Sequence, residues 1–510
     1  MGRKLYLSLV VLILLGFTAS AQTGEIRGKI TEKATSEGVP FASVTAKMNN
    51  SIVQGAVTDI DGNYVIKPLN PGKYDIEVTS VGYQPAKEIG IIVSVDKISF
   101  VNLSIGKGID IKEFTVTEYK VPLIDKGNPA TQVTIDREQI TQAPTRDVNS
   151  IASQGAGVFQ KDEGGALNIR GSRSDGTAYY VDGIKVRGGL GLPQKGTEQI
   201  TVITGGVPAQ YGDATGGIIS VTTRGPSKEW SGGVELATSE LLDKYGYNLA
   251  SFDISGPLYS SRDTTKKSDQ AIAGFFIAGE YQYDKDPTPT GIDVYKVNDD
   301  LLDDVRLHPL VRSPQGANYI HRSHYFTNDD LTIQKYRENV SASAYRLNGK
   351  LDIRPAKNVT LTFGGSLEHT DQNVYIDSYS LMNYDQNPQT VATNWRVFGK
   401  VTQRFNSDGK DKSSSVLKNA YYSVQVDYSN NHSVTQSKQH KDNIFDYGYV
   451  GKFESTAIPL YGTVISDSTV NGDDSLILIQ TVNLDTNVVF TPGTQNPYTT
   501  NYTSQYYELT

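Results

Sequence analysis

Beyond Pro226 the chain returns again and again to a two-residue hydrophobic rhythm, and no other feature limits its fold as tightly. Phe275, Ile277, Gly279, Tyr281 and Tyr283 alternate with Phe276, Ala278, Glu280 and Gln282. Leu347, Gly349, Leu351 and Ile353 alternate with Asn348, Lys350, Asp352 and Arg354. After a short turn at Pro355-Ala356-Lys357-Asn358, Val359, Leu361 and Phe363 alternate with Thr360 and Thr362. Trp395, Val397, Gly399 and Val401 face away from Arg396, Phe398 and Lys400, and Tyr422, Val424, Val426 and Tyr428 from Ser423, Gln425 and Asp427. Successive strand side chains point to opposite faces, so each run is a strand with one apolar and one polar face. With aromatics near the strand ends, this pattern fits an antiparallel barrel that crosses a membrane around a wet lumen. A soluble β-sandwich is the alternative. A hydrophobic content of 37% suits a barrel, because half of each strand is polar.

The N-terminus differs. Arg3 and Lys4 precede an apolar run from Leu5 to Phe17, followed by Ala19-Ser20-Ala21. Residues 1–21 read as a secretory signal peptide, since the run is too short to span a bilayer; an uncleaved anchor is the alternative. The chain has no cysteine, which excludes a lipid-modified N-terminus, a disulfide framework and a thiolate metal site. A net charge of −8 argues against nucleic acid as a partner.

Residues 22–105 alternate short strands with turns. Ile26, Gly28 and Ile30 alternate with Arg27 and Lys29, Asp61-Gly62 fits a tight hairpin turn, and Pro71-Gly72-Lys73 leads into a strand from Tyr74 to Ser80. The spacing predicts a sandwich of about seven strands. Asp59, Asp61 and Asn63 lack the glycine and glutamate of a calcium loop, so a turn is expected and no metal. Gly28, Val39 to Val44 (VPFASV), Thr58 to Tyr64 (TDIDGNY), Pro71 to Tyr74 (PGKY) and Val81 to Tyr83 (VGY) resemble the carboxypeptidase regulatory-like domain. The resemblance implies a non-catalytic Ig/transthyretin-like β-sandwich at the periplasmic N-terminus of outer-membrane receptors of the Bacteroidetes type.

Residues 106–120 form a linker, Gly106-Lys107-Gly108, and then a strand-prone segment from Ile109 to Tyr119. Such a segment adds to another protein's sheet edge, or is one more strand of the sandwich. Residues 121–225 mix short elements. Thr145 is expected to cap a helix running through Ser153, with Gly155 at its end, and Asp182-Gly183 to turn a hairpin. The glycine-rich stretch from Gly205 to Gly225 invites a phosphate-binding reading. No Lys-Ser/Thr pair follows it, and Ile218 to Thr223 is strand-prone, so no helix N-terminus faces an anion there.

Ile169 to Gly171 (IRG), Tyr179 to Ile184 (YYVDGI), Ile200 to Gly212 (ITVITGGVPAQYG) and Gly216 to Gly225 (GGIISVTTRG) together resemble the plug of TonB-dependent outer-membrane receptors. The resemblance implies an α+β plug inside a partial antiparallel transmembrane β-barrel over residues 226–510. It marks Ile169, Arg170, Gly171, Tyr180, Val181, Asp182, Gly183, Tyr211, Gly212, Gly216 and Gly217 as plug-motif residues. It also assigns Glu113, Phe114, Thr115, Val116, Thr117, Glu118 and Tyr119 as a TonB-box-like strand. Arg170, Asp182 and Arg224 become candidate charge partners within the plug or against the barrel; solvated loop charges are the alternative.

The implied function is ligand-gated uptake of a scarce nutrient. The implied partners are TonB with its inner-membrane energising complex, outer-membrane lipid, a small-molecule or oligomeric nutrient and, as a minority expectation, a surface lipoprotein. A barrel-anchored structural or adhesive surface protein is the second reading. Catalysis and cofactors are not expected: His321 and His324 lie in a loop-like His-Arg-Ser-His without a metal-binding helix, and no nucleophile elbow occurs. Long polar segments, Asp284 to Asn339, Thr370 to Asn394 and Ser429 to Thr510, are expected as extracellular loops, and the acidic run Asp299, Asp300, Asp303 and Asp304 as a solvated surface. Residues 226–510 supply roughly 8–12 strands where such receptors have about 22, so a truncated barrel that does not close is expected.

Overall fold

The computed structural model describes residues 23–509 apart from 49–50, 95–96, 109–114, 119–130, 187–190, 208–210, 212–214, 228, 264–267, 317, 357, 406–419, 461–468, 471–472 and 475–482. The N-terminal strands are β1 (Gly24–Glu32), β2 (Ser43–Met48), β3 (Ser51–Val57), β4 (Asn63–Leu69), β5 (Gly72–Thr79), β6 (Ala86–Val93), β7 (Ile98–Phe100) and β8 (Leu103–Ile105), followed by β9 (Thr115–Glu118). They form two sheets, one ordered β4-β1-β7 with β8 also on β1, the other β3-β2-β5-β6-β9. Alternate residues of both sheets, including Ile26, Ile30, Val44, Ile66, Ile76 and Ile91, meet in a fully buried apolar core.

The turn at Asp61-Gly62 is not the hairpin that the dipeptide predicts. Asp59 Oδ1 accepts from the Asp61 and Asn63 amides at 3.0 and 2.8 Å, and the chain crosses from β3 in one sheet to β4 in the other. Thr58 anchors the crossing: its buried hydroxyl donates to Val39 O and accepts from Ala42 N. Local turn chemistry reports a reversal, not which strand the chain pairs with next.

The middle region contains β10 (Thr131–Asp136), α1 (Arg137–Gln142), α2 (Val148–Ala152), β11 (Val158–Gln160), β12 (Leu167–Ile169), β13 (Ala178–Val181), β14 (Ile184–Val186), β15 (Thr197–Gly205) and β16 (Ile218–Thr223). Its main sheet is ordered β10-β15-β16-β13-β14. One face packs Ile200, Val202, Ile219 and Val221 under Ile140 of α1 and Ile151 of α2. The alternate positions Tyr180, Ile203 and Ile218 pack with Tyr211 on the other face. α2 is capped by Asp147, whose carboxylate accepts from Ser150 N at 2.7 Å, not by Thr145.

Long strands follow: β17 (Ser231–Thr238), β18 (Asn248–Asp263) and β19 (Ser268–Asp284). Next comes an excursion through β20 (Val294–Val297), α3 (Asp299–Leu307), β21 (Leu310–Arg312), β22 (Tyr319–His321) and β23 (Leu331–Gln334). The long strands resume as β24 (Ala342–Ala356), β25 (Val359–Asn373), β26 (Gln389–Phe405) and β27 (Ala420–Gln436). The seven long strands make one antiparallel sheet in chain order. Among the described residues the sheet stays open, since β17 and β27 do not pair with each other.

The predicted alternation holds. Phe276, Ala278 and Phe398 are buried on one face, while Ile277, Leu347, Phe363, Val397, Val426 and Tyr428 are exposed on the other. The strands run further than the polarity of their ends suggested, taking in Thr370–Asn373, Gln389–Asn394 and Ser429–Gln436, because backbone pairing continues past the apolar band. Among the described residues seven strands join this sheet, where roughly 8–12 are expected from the length of the region. Residues beyond Gln436 fold as β28 (Gly451–Leu460) paired with β31 (Asn483–Pro492), a small β29–β30 pair (Thr469–Val470, Asp473–Asp474) and helix α4 (Pro497–Leu509). α4 docks on the β19–β24 excursion through Gln505, which bonds Leu310 N and O, and Asn501, which donates to Arg306 O.

Candidate functional site

The strand-prone linker segment is ordered in part. Thr115, Val116, Thr117 and Glu118 form β9, which lies parallel to β6 in the register Ala86↔Thr115 to Ile89↔Glu118. Glu113, Phe114 and Tyr119 lie outside the described residues, as does Gly212 of the plug motif. Residues 115–118 are thus one more strand of the N-terminal sheet, the last in its order.

The plug-motif residues gather around one turn and one crossing. Asp182 and Gly183 both take positive φ (+47° and +93°), as a two-residue hairpin with a right-handed strand twist requires, and join β13 to β14. Val181 is buried, and Tyr180 stacks edge-on against Tyr211 at 4.9 Å. Gly216 and Gly217 sit where the backbone crosses β12 and its following turn. A Cβ on Gly217 would meet Ile169 Cδ1 at 2.5 Å, and one on Gly216 would meet Ser172 Oγ at 2.5 Å. Their role is close packing, not phosphate binding. Arg170 (φ +50°) precedes Gly171 (φ +78°), lies with its guanidinium over Gly205, and makes no ion pair among the described residues.

Asp182 and Arg224 pair with the long-strand sheet. Lys350 of β24 donates to Asp182 Oδ1 and to Thr223 O, both at 2.8 Å, while Thr223 donates its amide and hydroxyl to the same carboxylate. Burial alone would raise the Asp182 carboxyl; the Lys350 ammonium and the Thr223 donors outweigh it and hold the group below the usual carboxylate range. Arg224 binds Asp253 of β18 at 2.6 Å and lies 5.1 Å from the Phe276 ring centre.

Two plug cations that sequence reasoning missed complete the seam. Arg146, in the loop before α2, binds Glu280 at 3.0 Å and also pairs with Glu235. Lys195 reaches Asp253 at 3.8 Å and Glu235 at 4.0 Å. The wall carries the line on: Glu280, 1% exposed, binds Arg346 at 2.9 Å, and Arg346 binds Glu368 at 3.2 Å. The rhythm had put Glu280 and Lys350 on the polar face, but no sequence signal named their partners.

The middle region also meets the N-terminal sandwich. Lys73 lies 3.5 Å from Glu138. Glu198 of β15 borders Gly72, where burial pushes its carboxyl up against the opposing pull of Arg137, Arg224 and Lys350. The acidic run is the first part of α3, an exposed surface on which Asp299 and Asp304 find cationic partners. Asp299 meets Lys296, and Asp304 meets His308 and Arg322, which hold its carboxyl below the usual range. His321 stacks on Tyr502, with ring centres 5.1 Å apart, and His324 lies 5.7 Å from His321.

Comparison with known proteins follows the same divisions. Residues 25–105 match the carboxypeptidase regulatory-like domain, and residues 125–218 match the TonB-dependent receptor plug domain. Over 246 residues the chain is 28% identical to the TonB-dependent transporter Oar of Myxococcus xanthus, covering 44% of this chain and 22% of that protein. It is 32% identical over 149 residues to the iron-regulated outer membrane virulence protein of Vibrio cholerae, covering 26% and 23%. The matched region is thus less than a quarter of the length of these relatives. Among solved structures, the siderophore receptor PirA from Pseudomonas aeruginosa superposes in part: TM-score 0.37, 16% identity, 61% of this chain and 42% of that one.

Proposed function

Because this chain carries a TonB-dependent receptor plug behind a carboxypeptidase regulatory-like domain, we propose that it serves uptake of a scarce nutrient across the outer membrane. A ligand binds from outside at the loops and the plug apices. The segment 113–119 is then gripped by TonB in the periplasm, and the inner-membrane proton gradient supplies the pull that rearranges the plug. No covalent step is required of any residue.

The observation that carries this reading is the seam between plug and wall. Arg146, Lys195, Arg224 and Asp182 of the plug each meet an opposite charge on the polar face of the long strands. Paired charges in a confined seam give registration with little net stabilisation, because desolvation offsets most of their attraction. Water can replace each partner once the plug shifts. An apolar seam of the same size would resist separation far more.

An iron chelate is the first ligand to try, since one relative is by name an iron-regulated outer membrane protein; glycans and peptides, with a surface lipoprotein, are the next. Deleting residues 113–119 in an intact receptor with a closed barrel is expected to abolish uptake of radio-iron chelates by iron-limited cells while surface binding of the same chelates persists. Undiminished uptake in that deletion sinks the proposal and favours a barrel-anchored surface role.

A further inference from the structure

We propose that the N-terminal sandwich is a brake on the plug: it rests on β10 and α1 and keeps them in place until it lifts. This builds on the reading of the plug as the part that moves, and adds a second body that has to move with it.

The contacts come from one rim of the sandwich. Gly24 pairs with Leu69 where β1 begins and β4 ends, and Gly72 pairs with Val93 where β5 begins and β6 ends. The two sheets close on each other there, since a Cβ on Gly24 would run into Val93 and the Ser94 carbonyl. From this rim the Ser94 hydroxyl donates to Thr134 Oγ1 of β10 at 3.5 Å, and Ser94 is 1% exposed. Lys73 reaches Glu138, in the first turn of α1, also at 3.5 Å. Gly72 lies over Glu198 of β15, where a Cβ on it would stand 3.5 Å from Oε1. Thr23, directly before β1, shares a hydrogen bond of 3.1 Å with the Tyr421 hydroxyl of β27.

Placement, rather than strength, makes this footing a brake. β10 is laddered to β15, with Thr134 opposite Thr201 and Asp136 opposite Gln199, and Asp136 caps α1. The sandwich therefore touches both members of the ladder that holds β10 in the plug sheet, and the helix that follows it. Its bond to Tyr421 ties the same rim to the wall, so the entry of the plug is held against both. The contacts are few and polar, and Lys73 and Glu138 are exposed, so the footing contributes little stability. Small polar interfaces between domains of one chain open readily. β9 belongs to the sandwich's own sheet, so tension on 113–119 acts on the sandwich as well as on β10. The pull that reaches the border strand thus also lifts the body that rests on it.

Hydrogen exchange in the full chain in detergent tests the brake without any transport. Lys73→Glu sets a like charge against Glu138, and exchange in β10 and α1 is expected to rise about two- to five-fold, with β13 and β14 unchanged. Adding Glu138→Lys restores an opposite pair and should return the parent rate. A covalent variant joins the same bodies. The chain has no cysteine of its own, and Ser94→Cys with Thr134→Cys places two thiols where the hydroxyls bond. Closing that pair should slow exchange in β10 and α1 about ten-fold relative to the reduced chain. Exchange that is unchanged in Lys73→Glu, or raised there but not returned by Glu138→Lys, overturns the brake. A Cys pair that does not close, or that closes without slowing β10, overturns it too. The transport reading stands or falls separately, on uptake after the 113–119 deletion, whichever way the exchange results go.

Discussion

The N-terminal sandwich and the seam between plug and wall are both interior surfaces, yet they are made of opposite materials. The sandwich closes on Ile26, Ile30, Ile66, Ile76 and Ile91, none of them accessible to solvent. The seam closes on Arg146, Arg224, Lys350, Asp182, Asp253 and Glu280. Apolar burial is favourable wherever the pieces meet and grows with area, so it suits a part that stays folded. Paired charges are worth little net but penalise misplacement heavily, so they specify one position of the parts they join. The same chain holds one region by apolar area and positions the other by paired charges.

That contrast can be tested from both sides. The largest effect is expected from Lys350→Met, which leaves the buried Asp182 carboxylate without its cation; loss of one partner of a buried pair costs about 3–5 kcal/mol. Hydrogen exchange should accelerate in β13, β14 and β16 and leave the sandwich unchanged. Acceleration spread over both regions would show that they are one cooperative unit. Ile76→Ala should do the reverse, destabilising the sandwich by about 2–5 kcal/mol in a denaturant melt while plug exchange holds.

The smallest and most specific effect concerns pH. The Asp182 carboxyl is held below its usual range, so its contribution to seating is complete above that range and disappears only as pH falls through the lowered value. Plug exchange should therefore stay slow through mildly acidic pH and rise at strong acidity. In Asp182→Asn this acid step should be missing, and an unchanged acid step would remove Asp182 from the seat.

The sequence made faces legible but not partners. Strand alternation placed Phe276 and Glu280 on one side and Ile277 on the other, because the period of two is a local property of the backbone. Asp182-Gly183 was legible as a hairpin for the same local reason. Lys350, which lies far along the chain from Asp182, was visible only as one more polar residue of its strand; nothing short of the fold brings the two together. Thr145 and Asp147 are both good caps, and the one that faces the Ser150 amide is selected by the packing of Val148 and Ile151. The helix α4 carried no periodic apolar signal, since only Thr500 of it is buried.

The place of β10 at the border of the plug sheet has a mechanical consequence. Among the described residues β10 is laddered only to β15, and it is the first described strand of the plug that the proposed pull would reach. Tension would detach it before the strands behind it, then draw on α1 and on the loop that carries Arg146. Asp182, Lys195 and Arg224 belong to the four-stranded remainder and its flanks, and would still hold their wall partners at that stage. Opening would then be graded: a gap beside Glu280 at low tension, and full release of the plug only at a higher one.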